Sequence, residues 1–207
     1  MLTTANKYPF FDLLEIIPET ELSYKSFQPL KPAKTGDFIS NFKLRQDYNL
    51  WKRFYNGGEA NDPLLLRDLL GKPLVISFYS KHWRNVGIKQ LDQLNSIQQE
   101  VKANGGNLVI ITAEKDDELA ETAWQHSLSL NFYYDDNNEI AKKFNLYSEN
   151  DPAWNKFSGI DVNVPLLATY VLNTSKKIVY EHVDLNFSGT FSQEDIISAV
   201  YNSALFQ

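Results

Sequence analysis

The chain of 207 residues contains no cysteine and a single methionine. Without a thiol it cannot form a disulfide, hold a thiolate-bound metal or use a cysteine nucleophile, in any compartment. Positive charge is also scarce, with 20 Lys and Arg against 26 Asp and Glu for a net charge of -6. Phosphate backbones are bound by clustered Lys and Arg, and no basic stripe exists here, so nucleic acid is excluded as a partner. Long apolar runs are missing too. Residues 108–111 and 164–172 are among the longest, far below the ~20 residues that a membrane span requires. Asp12 and Glu15 interrupt the most apolar part of the N-terminal region, which removes a signal core and makes a cytoplasmic protein the expectation. Repeats, low-complexity tracts and Pro/Gly-rich linkers are absent, so one domain over 1–207 is expected. There is no Gly-rich phosphate loop. His82, His126 and His182 are scattered without ligand spacing, so neither a metal nor a cofactor is implied.

What is present is a globular composition, 43% hydrophobic and 14% aromatic, long enough to bury a substantial core. Residues 1–34 read as an arm packed on the domain, because Phe10, Phe11, Leu13, Leu14, Ile16 and Ile17 are too apolar to leave in water. An extended segment follows from Gly36, then Trp51 to Tyr55 and a hairpin tip at Asn56-Gly57-Gly58. Residues 64–70 suit a helical turn ending at Gly71.

Beyond this point the pattern becomes regular. Leu74–Tyr79 is an apolar strand, and Ile88, Leu91, Leu94, Ile97 or Gln98, and Val101 recur at helical spacing until Asn104-Gly105-Gly106. Residues 108–112 form a second buried strand. Asp116 or Asp117 caps a helix through Leu119, Ala120, Ala123 and Trp124, residues 128–134 are extended, and Asn137 caps a short helix with Ile140, Ala141 and Phe144. Ala168–Leu172 and Ile178–Val183 pair as a hairpin. Ser192 opens a capping box for a last helix with Ile196, Ile197, Val200 and Tyr201 on one face. The order strand, helix, strand, helix, hairpin, helix gives an α/β sandwich around a mixed sheet.

These strings, in this order, resemble the alkyl hydroperoxide reductase and thiol-specific antioxidant branch of the peroxiredoxins. Gly36-Asp-Phe-Ile-Ser-Asn-Phe-Lys-Leu44 is similar to that family's Gly-x-x-x-Pro-Asp-Phe-x-Leu segment. Leu66-Arg-Asp-Leu-Leu-Gly-Lys-Pro-Leu-Val-Ile-Ser-Phe-Tyr79 is similar to its strand approaching the active site, and Ala168-Thr-Tyr-Val-Leu-Asn173 with Tyr180-Glu-His-Val-Asp184 to its late hairpin. The resemblance implies a thioredoxin-like three-layer sandwich over 35–207, a central mixed β-sheet flanked by helices, and a tendency to form a homodimer.

The departures fall on the chemistry. After Phe78-Tyr79 the related motif reads x-x-x-Trp-Cys-x-x-Cys; Trp83 keeps the register, Arg84 stands at the attacking cysteine and Gly87 at the second. Leu167 replaces the family's cis proline and Ser40 the proline of its first motif. A cis bond before a non-proline residue costs ~2.5–4 kcal/mol, so residues 164–167 are expected to run trans or rearranged. No catalytic residue can be named. Ser80 near His82 lacks a third orienting group, and Asp116-Asp117 and Asp135-Asp136 each precede a helix, where capping explains them.

One cluster has functional content: Lys81, His82, Trp83 and Arg84 at a helix start. A cation there is disfavoured by ~0.3–1 kcal/mol, so Arg84 points to solvent, pairs with a carboxylate, or helps hold a small anion on the N-terminal N–H groups. Tyr79, Trp83 and Trp124 read as core aromatics rather than a ligand cage. Two functions stay open: a degenerate, cysteine-free pseudoenzyme that binds an anion or a protein partner, and an antioxidant oxidoreductase with a non-thiol mechanism.

Overall fold

The computed structural model describes residues 29–44, 54–55, 58–59, 64–114 and 116–205. Residues 1–28, most of the expected arm, lie outside them, as do Trp51, Asn56 and Gly57. In chain order the strands are β1 (Lys43–Leu44), β2 (Phe54–Tyr55), β3 (Gly58–Glu59), β4 (Leu64–Leu65), β5 (Leu74–Tyr79), β6 (Asn107–Thr112), β7 (Phe132–Tyr134), β8 (Ala168–Leu172) and β9 (Ile178–Val183). The α-helices are α1 (Leu66–Leu69), α2 (Arg84–Ala103), α3 (Asp116–Gln125), α4 (Glu139–Lys143) and α5 (Gln193–Leu205).

Five strands form the central sheet in the order β7-β6-β5-β8-β9, with β5, β6 and β7 parallel and β8 and β9 antiparallel to their neighbours. All six residues of both β5 and β6 are buried. That is why their sequences read as unbroken apolar runs: helices and loops cover both faces of the strands. Alternate residues divide between the two cores. Val75 and Tyr79 pack with Leu91, Leu94, Ile97 and Val101 of α2 and with Ile196 and Val200 of α5. Leu74, Ile76 and Phe78 face Ile39, Phe42, Ile140, Phe144 and Leu166 on the other side. The result is the expected three-layer α/β sandwich with a mixed sheet.

Helix α2 ends at Ala103, and Gly105 takes up the left-handed turn at φ +80°. At Gly106 a Cβ would come within 2.5 Å of Val200 Cγ1, so this glycine permits the close approach of α5. Residues 29–44 run along the domain, with Ala33 N–H donating to Phe144 O at 3.0 Å and Gly36 N–H to Ile178 O at 2.9 Å. The short pair β2 and β3 has the antiparallel register Phe54↔Glu59 and Tyr55↔Gly58, so Gly58, expected in the hairpin tip, belongs to a strand.

Three local expectations fail, each for a geometric reason. Trp124 is 87% exposed. Helix α3 buries Leu119 and Ala123, four residues apart, and the next residue is rotated off that stripe. Tyr201 stands beside buried Val200 in the same way and is half-exposed. Asn137 does not cap α4. It lies at φ 54° in a 3-10 turn, followed by Asn138 at φ 55°, and the cap is the buried Asp135, whose carboxylate accepts from Ile140 N–H at 2.8 Å and Ala141 N–H at 2.9 Å.

Burial, against those two hydrogen bonds and with a further rise from Glu139, pushes the Asp135 carboxyl up to about 6. A folded-state value above the unfolded one adds stability below about pH 4 that is lost as pH rises through 6, up to about 3 kcal/mol. Asp135→Asn weakens the cap at every pH, but its deficit relative to the parent is expected to shrink between pH 4 and pH 7 in urea titrations. A deficit that grows over that range would show the N–H groups outweighing burial.

Candidate functional site

Strand β5 ends at Tyr79, Ser80 continues extended, Lys81–Trp83 form a 3-10 turn and α2 starts at Arg84. Because β5 and β6 are parallel with Tyr79 opposite Thr112, the loops that leave both strands meet. Glu114 from the second loop reaches under the first, and its Oε1 accepts from Ser80 Oγ at 2.7 Å and from Lys81 N–H at 2.9 Å. Thr112 Oγ1 donates to Oε2. Burial and the neighbouring Glu114 charge push the Tyr79 hydroxyl up to about 12, against a hydrogen bond with Thr122 that lowers it.

Glu114 escaped the sequence reading. Only the parallel pairing of β5 with β6 brings it to Ser80. Its buried carboxylate also disposes of a serine-histidine pair, because the Ser80 hydroxyl is committed to Glu114 and the His82 group that reaches it is the backbone N–H, at 3.3 Å.

The turn turns its four candidate side chains in different directions. Lys81 and Arg84 are exposed and His82 is half-buried, while Trp83 is completely buried. The Trp83 indole donates to Pro165 O at 2.9 Å and packs edge-on against Phe157, with ring centroids 5.1 Å apart. Phe187 lies 5.6 Å from the same indole and stacks on Phe157 at 5.9 Å. Trp83 and Tyr79 are thus core residues, as expected. Leu167, two residues after the indole's acceptor, is buried and receives Asp184 N–H at 2.8 Å. Gly87 is buried where a Cβ would sit 3.1 Å from both Tyr79 Cε2 and Trp83 Cβ, so it packs tightly against these aromatics.

The N–H groups expected to face an anion are largely used internally. Lys81 donates to Glu114, His82 to Ser80 Oγ, Trp83 to Ser80 O at 3.1 Å and Arg84 to Lys81 O. What the turn offers outward is the pair of cationic side chains, Lys81 and Arg84. His126, 3.9 Å from Asp92, and His182, in β9, lie on other elements. Burial pulls the His182 imidazole below its ordinary value, against the rise from Asp184 and from a hydrogen bond with the Thr190 backbone. Among the described residues no group of three or more His, Asp or Glu side chains is placed to hold a metal.

The sequence matches the AhpC/TSA family over residues 35–181. The chain therefore belongs to the AhpC/TSA family, the peroxiredoxin class of the thioredoxin-like fold, and it does so without a cysteine. Its structure is similar to a peroxidoxin, BcpB, of Mycobacterium tuberculosis, with 17% identity, a TM-score of 0.59 and coverage of 82% of this chain and 97% of that one. A bacterioferritin comigratory protein of Xanthomonas campestris is also similar, with 15% identity, a TM-score of 0.55 and coverage of 69% and 86%. So is the reduced 2-Cys peroxiredoxin of Plasmodium vivax, at 14% identity, a TM-score of 0.57 and coverage of 82% and 81%. No curated protein matches the sequence.

Arg84, the first residue of α2, has φ 51° and ψ -135°, a backbone conformation that costs a side-chain-bearing residue ~1–3 kcal/mol. Arg84→Gly removes both that strain and a cation from a helix N-terminus. The variant is expected to melt above the parent in calorimetry, and a lower melting temperature would mean that Arg84 makes contacts worth more than the strain.

Proposed function

We propose that this protein works by binding rather than by thiol redox turnover, on a peroxiredoxin scaffold whose reaction centre has closed. The observation that carries the reading is the absence of any cysteine, with Arg84 where the resemblance places the attacking one and a tight fit around Gly87, where a Cβ would lie 3.1 Å from Tyr79 and Trp83. Peroxide reduction in this family begins with attack by a thiolate, and no other side chain of the chain supplies one. The buried Trp83 and Phe157, with the partly exposed Phe187 packed on both, support it further, because they form one aromatic cluster at the helix start.

The purified protein is expected to consume no hydrogen peroxide or alkyl hydroperoxide, and to reduce no insulin, above a buffer blank. Turnover that depends on added dithiothreitol or thioredoxin would overturn the reading and favour a non-thiol oxidoreductase. Arg84→Cys serves as the internal comparison.

The ligand class proposed for the exposed turn is a small anion held by Lys81 and Arg84, with His82 beside them. An anion that binds the native state alone raises its stability with saturation, by about 2.7 kcal/mol at a hundredfold excess over Kd. The melting temperature in phosphate, at constant ionic strength, is expected to rise to a plateau in the parent and to stay flat in Arg84→Ala. A rise without a plateau, or one that survives the substitution, is ordinary salt exclusion and removes the anion from the proposal.

A further inference from the structure

The pairing of β5, β8 and β9 sets Ser77, Thr169 and His182 in one cross-strand row, and such a row lies on one face of the sheet. Its inner end is hydrogen-bonded: Gln90 Nε2 of α2 donates to Ser77 Oγ at 2.6 Å, and Ser77 Oγ lies 2.9 Å from Thr169 Oγ1. Its outer end is not, because His182 Nε2 is buried without a hydrogen-bond partner. The loop that follows β9 folds back over this ring. Thr190 supplies a backbone hydrogen bond to it, the Phe191 ring lies 6.3 Å away, and Phe191 N–H donates to Gln93 Oε1 of α2 at 3.3 Å.

Asp184 holds the same loop in place. The strand ladder continues one step past β9, where Asp184 N–H donates to Leu167 O at 2.8 Å, so Asp184 falls on the face of His182. Its Oδ1 accepts from Ser188 N–H at 3.0 Å and from Ser188 Oγ at 3.2 Å, and its Oδ2 from Gly189 N–H at 2.6 Å. The loop so fixed carries Phe187 to Trp83 and Phe157. At Gly189 a Cβ would lie 2.5 Å from Val86 O, so the closed loop has no slack against α2.

We infer that Asp184 has two positions: it caps the loop while His182 is neutral, and turns to His182 when that ring takes up a proton, releasing Phe187 from Trp83. An imidazolium donates from both nitrogens, and a buried charged donor left unpaired is costly. Of the charged groups on the surrounding elements, Asp184 is the one that acts on the ring; Lys89 of α2 donates to Ser188 O, Asp195 of α5 acts on Tyr180, and Glu181 accepts from Thr35 N–H. Both Asp184 oxygens are committed to the loop, so a bond to His182 is made at the loop's expense. The ring that burial keeps neutral favours the closed state, a contribution complete above about pH 6.5 and lost as pH falls below it. Each unit by which opening raises the value of His182 shifts the open-to-closed ratio about tenfold.

Trp83 reports the change. In a chain carrying Trp51→Phe, Trp124→Phe and Trp154→Phe it is the one tryptophan left of four. Its quenching by acrylamide is expected to rise at least about twofold from about pH 7.5 to about pH 5, with the far-ultraviolet spectrum unchanged. His182→Gln, which cannot take up the proton, is expected to stay flat. No rise in the parent, a rise that comes only with loss of the far-ultraviolet signal, or one that survives His182→Gln overturns the inference. So does a rise that disappears instead in His82→Gln or Asp135→Asn. Nuclear magnetic resonance tests the unsubstituted chain: the His182 ring and the Ser188 and Gly189 amides are expected to titrate together, with one midpoint below about 6.5. Separate midpoints overturn it. Neither readout involves peroxide or phosphate, so failure here leaves the turnover and anion results untouched.

Discussion

The hydrogen bond from the buried Trp83 indole to Pro165 O is the interaction on which the site's architecture depends. Donor and acceptor come from segments 82 residues apart, and both lie out of water, so losing either partner leaves a polar group stranded at ~1–3 kcal/mol. The ring it orients is the hub of the aromatic cluster. Phe157 meets it edge-on and Phe187 at a tilt, geometries worth ~0.5–1.5 kcal/mol per pair beyond the area buried. Through this one side chain the helix start, residues 164–167, the segment around Phe157 and the loop after β9 share a single packing solution.

Two residues near that hub hold a positive φ. Arg84 at φ 51° opens α2, and Phe187 at φ 57° sits in the loop packed against the same helix turn. Each conformation costs free energy that glycine would not incur. Their persistence reflects rigid supports: the Ser80 and Glu114 hydrogen bonds under the first and the Asp184 cap under the second. The start of α2 and the loop after β9 are therefore held in these conformations by their hydrogen-bonded surroundings.

The fold was readable in the sequence because its centre obeys simple periodicities. Two strands buried on both faces appear as apolar runs, and α2 marks its inner face at Leu91, Leu94, Ile97 and Val101. Errors arose where a local pattern has several equivalent solutions. In Asp135-Asp136-Asn137-Asn138 any member can cap the next helix, and only the pairing that holds Asp135 N–H to Thr112 O at 2.8 Å selects the first. Trp124 follows buried Ala123 directly in α3, a helix too short for its pattern to separate the inner face from the residue beside it. The site was legible as far as residues of one turn could show it, Lys81 to Arg84. Glu114 and the cluster of Phe157 with Phe187 are tertiary neighbours of that turn, separated from it by tens of residues, and no spacing rule reaches them.

Electrostatics explains why an arginine is tolerable at this helix start. A cation at the positive end of a helix is unfavourable, but the buried Glu114 carboxylate, bonded to Lys81 N–H three residues away, sets a negative charge beneath the turn and offsets the dipole. The start of α2 is therefore set by two opposed contributions, the helix dipole and the Glu114 carboxylate beneath Ser80 and Lys81.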